Sequence, residues 1–113
     1  MGTAALAVLE HDSEYVMGFS DVQVNFDRCE VWRTGRRVPV TPSEYELLVH
    51  FLLNPGRELS RDAILDAVWS TVEYPSTRTV DAHVLKLRQK FEPVPESPRH
   101  FLTVHKVGYV FRP

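Results

Sequence analysis

The chain has 113 residues, 43% hydrophobic, 25% charged and 11% aromatic, with a formal net charge of -2. That length supports one hydrophobic core and no second full domain, and the composition excludes a disordered chain. No apolar run approaches the roughly 18 residues of a membrane-spanning helix, and the single cysteine, Cys29, excludes an internal disulfide and a cysteine-rich zinc site.

Residues 1–14 show no periodicity and include Glu10, His11, Asp12 and Glu14, which reads as a linker or disordered N-terminus before a domain spanning 15–113. Met1–Leu9 is mildly apolar but lacks a basic opening, a poor match to a secretory leader, so cytoplasm is the expected compartment. Strand signals begin at Tyr15-Val16-Met17 and continue through Val22-Gln23-Val24-Asn25-Phe26, which alternates strictly. Glu30-Val31-Trp32-Arg33 follows, then a turn at Thr34-Gly35-Arg36, then Arg37-Val38-Pro39-Val40. Short strands separated by turn residues predict an antiparallel meander. Pro39 has no N–H for a ladder, so its strand is an edge or ends there. Cys29 reads as a small buried hydrophobe.

Thr41-Pro42-Ser43-Glu44 then predicts a helix start: a hydroxyl cap, proline at the first helical position and a glutamate closing a capping box. Tyr45, Leu48, Val49 and Leu52 recur at helical spacing, and Asn54-Pro55-Gly56 ends the helix. A second helix starts at Ser60 with Asp62 in its first turn, and Ile64, Leu65, Val68 and Trp69 form its apolar stripe. After the segment Ser70–Ser76, a third helix capped by Ser76 or Thr77 runs to Phe91 or Glu92, before Pro93. Its apolar positions Val80, Val84, Leu87 and Phe91 fall within about 60° of one another on a helical wheel. The opposite side holds Arg78, Thr79, Ala82, Lys86 and Gln89. Long donors around a small methyl suit a helix that enters a DNA major groove about 12 Å wide.

The chain closes with a hairpin. Phe101-Leu102-Thr103-Val104 and Tyr109-Val110-Phe111 are strand-like, and His105-Lys106-Val107-Gly108 is a tight tip whose glycine can adopt a positive φ. A tip bearing His105 and Lys106 suits a minor groove or phosphates. Charge is uneven: six basic against twelve acidic residues up to residue 76, seven against three beyond it. Such asymmetry points to an anionic partner, nucleic acid first. No enzyme is expected, with no catalytic residue, metal site or cofactor. Asp81 and His83 point different ways on their helix, and no phosphate loop, His-x-x-x-His pair or serine elbow is present.

Several ordered segments together resemble the C-terminal DNA-binding (effector) domain of OmpR/PhoB-family two-component response regulators. They are Val40 to Leu48, Asn54 to Arg61, Ile64 to Trp69, Arg78 to Lys90, Thr103-Val104 and Gly108 to Phe111, with Gly18-Phe19 and Val22 to Val24 upstream. The resemblance covers roughly residues 16–113. It implies an α+β winged helix-turn-helix: an N-terminal antiparallel β-sheet, three helices and a C-terminal β-hairpin wing. It places DNA contacts on Arg78, Thr79, Ala82, His83, Lys86 and Arg88, with Ala82 and Lys86 facing bases and the others mostly phosphates. Thr103 and His105 would sit in the wing; Gln89 and Lys106 join the DNA-facing set from the wheel and the hairpin tip. The segment Ser70, Thr71, Val72, Glu73, Tyr74, Pro75 and Ser76 would correspond to the family's RNA-polymerase-facing loop.

Three departures accompany the resemblance. Leu85 stands where the family often has a basic or polar residue. Lys86 stands where it often has arginine, so the preferred DNA sequence should differ. The wing's common Arg-Gly is here His105-Lys106. The implied function is sequence-specific binding of double-stranded promoter DNA, at direct-repeat half-sites, and transcription regulation in a phosphorelay. A sensor histidine kinase would act only through a receiver domain that these residues do not include. The alternative is a winged-helix protein-interaction module without DNA binding.

Overall fold

The computed structural model describes residues 7–11, 14–70 and 76–113. The chain divides into two compact units, one running to Val40 and the other from Thr41 to Arg112. Among the described residues no helix is long and apolar enough to cross a membrane.

The first unit is a five-stranded antiparallel meander, in the order β1-β2-β3-β4-β5. Its strands are β1 (Ala7–His11), β2 (Glu14–Phe19), β3 (Val22–Asn25), β4 (Glu30–Arg33) and β5 (Arg36–Val38). Residues 7–11 thus form a strand where a linker was expected. Strand β1 pairs with β2 from Ala7↔Gly18 to His11↔Glu14, so its backbone donors enter a ladder that periodicity alone did not reveal.

The registers Met17↔Val24, Val24↔Val31 and Val31↔Val38 line one face with apolar side chains, and Val22, Val24 and Val31 are buried. Gly18, Gln23, Trp32 and Arg37 line the other. Thr34 and Gly35 both have positive φ, giving a two-residue hairpin that suits the twist of β4 and β5. Strand β5 is an edge and ends before Pro39, as its missing N–H requires.

Cys29 is a correction: it is exposed. It occupies the turn from Phe26 to Cys29 with φ 54°, where Asn25 Oδ1 accepts the Arg28 N–H at 3.0 Å. The turn therefore places the thiol outside the apolar face.

The second unit holds α1 (Pro42–Leu52), β6 (Leu59–Ser60), α2 (Arg61–Trp69), α3 (Thr77–Phe91), β7 (Phe101–Val104) and β8 (Gly108–Phe111). The three strands form a sheet in the order β6-β8-β7. Helix α1 starts as its sequence predicts: Thr41 Oγ1 accepts the Glu44 N–H at 3.2 Å, and Glu44 Oε1 accepts the Thr41 N–H at 2.9 Å. Ser60 caps α2 through the Ala63 N–H at 3.0 Å.

Leu47, Leu48, Phe51 and Leu52 of α1 enter the core, while Tyr45 and Val49 are only half-buried. The core stripe is thus turned from the expected one toward Leu47 and Phe51. Ile64 and Trp69 of α2, Val80, Val84, Leu87 and Phe91 of α3, and Phe101, Val110 and Phe111 of the hairpin join the core. The Phe101 and Phe111 rings lie 5.4 Å apart, and Phe51 meets Phe101 edge-on at 5.7 Å.

The connector after α3 is closed by Glu92, whose buried carboxylate accepts the N–H groups of Arg99, His100 and Phe101 at 2.8, 2.9 and 2.8 Å. Three orphan donors are satisfied by one side chain, and β7 enters the sheet at a fixed place.

Candidate nucleic-acid interface

Helix α3 supplies the largest part of the candidate interface. Val80, Val84, Leu87 and Phe91 are fully buried, which fixes the rotation of the helix about its axis. Arg78, Ala82, Lys86 and Gln89 are consequently exposed along the opposite side, as the wheel predicts. Leu85 shares this outward side with 52% of its surface exposed. Ser76 occupies the N-cap position with extended backbone, but its side chain makes no capping hydrogen bond. The α3 amides at that end are not occupied by a serine hydroxyl.

Thr79 and His83 lie at the edge of this face and are half-buried. His83 Nδ1 is 2.8 Å from the Thr79 carbonyl oxygen, which can only accept, so Nδ1 carries the proton. The ring stands edge-on to Trp69 at 4.8 Å. Only Nε2 remains for a ligand, and the ring's orientation is set by α2.

Arg88 lies on the other flank and reaches the wing. Its Nε donates to the Phe101 carbonyl at 2.8 Å and its Nη2 to Thr103 Oγ1 at 2.9 Å. The guanidinium sits 5.7 Å from the centre of the Tyr109 ring. Arg88 thus ties α3 to β7, using a fork geometry that lysine lacks. Thr103, expected as an independent wing contact, shares its hydroxyl with this tie and remains exposed.

His105 and Lys106 are exposed at the hairpin tip. Lys106 is the left-handed residue of the turn, with φ 63°, and Gly108 has positive φ as well, at 159°. Gly108 has a different duty. A Cβ on it would run into the Leu59 carbonyl oxygen and stand 3.0 Å from Ser60 Cα. It is the close approach of β8 to β6 that requires glycine there.

A second network, unseen in the sequence, fixes α3 against α2 and β8. Asp81 Oδ1 accepts from Arg61 Nε at 2.7 Å and from the Tyr109 hydroxyl at 2.6 Å. Arg61 also lies over the Tyr109 ring at 5.1 Å. Burial alone would push the Asp81 carboxyl up; the hydrogen bonds from Tyr109 and Arg61 outweigh it and hold the group below its ordinary value. Burial and the hydrogen bond to Asp81 push the Tyr109 hydroxyl up. At the far end of α3, Lys90 Nζ reaches Glu44 Oε1 at 2.6 Å.

The structure therefore brings Arg78, Ala82, Lys86 and Gln89 onto one face, flanked by Thr79 and His83 on one side and Arg88 on the other. His105 and Lys106 are carried on the hairpin that Arg88 holds. Of the expected polymerase-facing loop, Ser70 and Ser76 are exposed at helix ends, while Thr71, Val72, Glu73, Tyr74 and Pro75 lie outside the described residues. Sequence reading missed Arg61, Asp81 and Tyr109, because their partners lie 20 and 28 residues apart and no local period announces them. Among the described residues no group of three or more histidine, cysteine, aspartate or glutamate side chains could hold a metal ion.

Comparison with known proteins gives a consistent picture. Residues 35–111 match the family described as transcriptional regulatory protein, C terminal. The chain is 36% identical over 100 residues to the DNA-binding response regulator MtrA of Mycolicibacterium smegmatis, covering 88% of this chain and 44% of that one. It is 28% identical to the response regulator DrrB of Thermotoga maritima, an OmpR/PhoB homolog, with a TM-score of 0.79 over 87% of this chain and 44% of that chain. The Klebsiella pneumoniae RstA DNA-binding domain, solved in complex with the RstA box, has the same fold, with a TM-score of 0.74 at 22% identity over 90% of this chain and 98% of that one. The chain spans less than half the length of MtrA and DrrB.

Proposed function

Because this chain belongs to the family of C-terminal domains of transcriptional regulatory proteins, of the OmpR/PhoB winged-helix type, we propose that it binds double-stranded promoter DNA sequence-specifically. In this reading the output domain of a two-component response regulator begins with β1 at Ala7 rather than at Tyr15. The exposed stripe of Arg78, Ala82, Lys86 and Gln89, opposite a fully buried stripe on the same helix, is the observation that carries it.

Helix α3 lies in the major groove, where Lys86 and Gln89 offer donors to base edges and Ala82 allows close approach. Arg78 at the start of the helix, and Thr79 and His83 at its edge, face the phosphates of the groove walls. Arg88 acts on DNA mainly through the wing. With two of its donors spent on β7, it sets where His105 and Lys106 meet the backbone or the minor groove. Lys86 is a point donor, so its preferred base pattern is not the bidentate guanine reading of arginine.

The remaining roles belong to the longer protein. The half-sites are direct repeats about one helical turn apart, about 10–10.5 bp. A receiver domain carries the signal from a sensor histidine kinase, and the segment 70–76 faces RNA polymerase. The protein works in the cytoplasm as a non-enzymatic regulator.

The test is a bind-and-sequence selection on randomised duplex DNA at moderate salt, run beside the variant carrying Arg78→Ala and Lys86→Ala. Wild type should enrich one motif and the variant should not. Both side chains are exposed, so the variant should melt like wild type. Equal enrichment by the two proteins would overturn the reading.

A further inference from the structure

The outward face of α3 is polar except at Ala82, a single methyl, and Leu85. Leu85 exposes half its surface in the middle of the helix. It is seven residues from Arg78 and four from Gln89, which places it about 20° and about 40° from them on the helical wheel. It therefore shares the face proposed to enter the major groove, and the inference that follows rests on that reading. A single exposed leucine needs no explanation on an ordinary surface. Within a groove it cannot be neutral, because docking removes the water around it and it offers neither donor nor acceptor.

The base edges of the major groove present N7, O6 and O4 acceptors, amino donors, and one apolar group, the C5-methyl of thymine. A leucine set against a guanine or cytosine edge would strip water from polar atoms without replacing their hydrogen bonds. Set against a phosphate it would gain nothing from the charge. Against a thymine methyl, both surfaces leave water together. Ala82, three residues earlier, keeps the backbone near the bases, and Lys86 alongside supplies a donor to the neighbouring base pair.

We infer that Leu85 is a specificity-determining residue that packs on the C5-methyl group of a thymine at one fixed position of each half-site. Sequence preference at that position comes from the methyl rather than from hydrogen bonding.

Replacing thymine by uracil removes the methyl and keeps every hydrogen-bonding atom. Each thymine of the selected site is replaced singly, and affinity is measured for wild type, Leu85→Ala and Leu85→Gln. One thymine per half-site should lose about four-fold in wild-type affinity on replacement, the worth of one buried methyl. The same replacement should leave both variants unchanged, so the cycle isolates the contact. Leu85→Gln guards against a folding defect in either variant, and thermal melts report it. Replacement that leaves wild type unchanged at every thymine, or weakens the variants as much as wild type, overturns the inference while DNA binding stands. Wild type that binds no duplex overturns the functional reading itself, and the assignment of Leu85 with it.

Discussion

Asp81 gathers two donors on one oxygen, Arg61 Nε and the Tyr109 hydroxyl, and both come from other elements. Its neighbour two positions on, His83, is committed to Thr79 and Trp69, so the pair that might suggest acid–base chemistry is divided between two structural tasks. The Asp81 side chain keeps 46% of its surface exposed, so solvent screening reduces what these contacts contribute. Replacing it by asparagine should cost about 1 kcal/mol at pH 7, read from the midpoint of urea unfolding. The sign with pH follows from the lowered carboxyl pKa. Stability from Asp81 is fully present above the ordinary carboxylate range and fades as pH falls through the lowered folded value. The gap between wild type and Asp81→Asn should therefore close in acid; a gap equally wide at pH 3 and pH 7 would contradict the assignment. Tyr109 acts in the opposite direction: its raised pKa means its contribution is present below the ordinary phenol value and is lost as pH rises through the folded one.

Elements with a local cause were legible. Thr41, Pro42 and Glu44 announce α1 because a capping box is chemistry within four residues, and the same bonds are present in the structure. The 4, 3, 4 spacing of Val80, Val84, Leu87 and Phe91 gives the buried face of α3, hence its outward face by subtraction. Elements caused by distant pairing were not. Strand β6 has two residues and no period to read; it exists because Leu59 and Ser60 pair with Tyr109 and Gly108. Strand β1 likewise depends on its partner β2. Cys29 was misplaced for a related reason: residue type favours burial, but its turn faces solvent. Gly108 shows how such pairing leaves a trace in a single residue. Gly108→Ala should destabilise by about 3 kcal/mol, because the intruding methyl meets backbone that cannot rotate away. Denaturant unfolding checks this, and a midpoint within error of wild type would mean that β6 and β8 separate at little cost. The Gly35→Ala exchange is a useful contrast, since a methyl there meets nothing and only the positive φ resists it.

At the scale of the whole molecule, charge and copy number should decide how tightly the proposed DNA ligand is held. The chain is acidic overall at -2, yet residues 77–113 carry seven basic and three acidic residues. On the proposed reading the acidic part repels the duplex at long range while the basic residues of α3 and the wing attract it, so one domain on one half-site should bind weakly. Each neutralised phosphate contributes a slope of about -0.9 to the dependence of log affinity on log salt. Joining two copies through a flexible linker makes the second docking intramolecular, at an effective concentration of order millimolar. On direct repeats about 10–10.5 bp apart, both copies would meet the same face of the duplex. The tethered pair should therefore bind such a repeat at least about ten-fold more tightly than the single chain. Its salt slope should be twice as steep, because twice as many phosphates are neutralised. Disrupting one half-site should remove the gain in affinity and the added slope together. If the tethered pair gains affinity while its slope stays that of one domain, the second copy is held by protein contacts and not by DNA, and the phosphate set assigned to α3 and the wing is wrong.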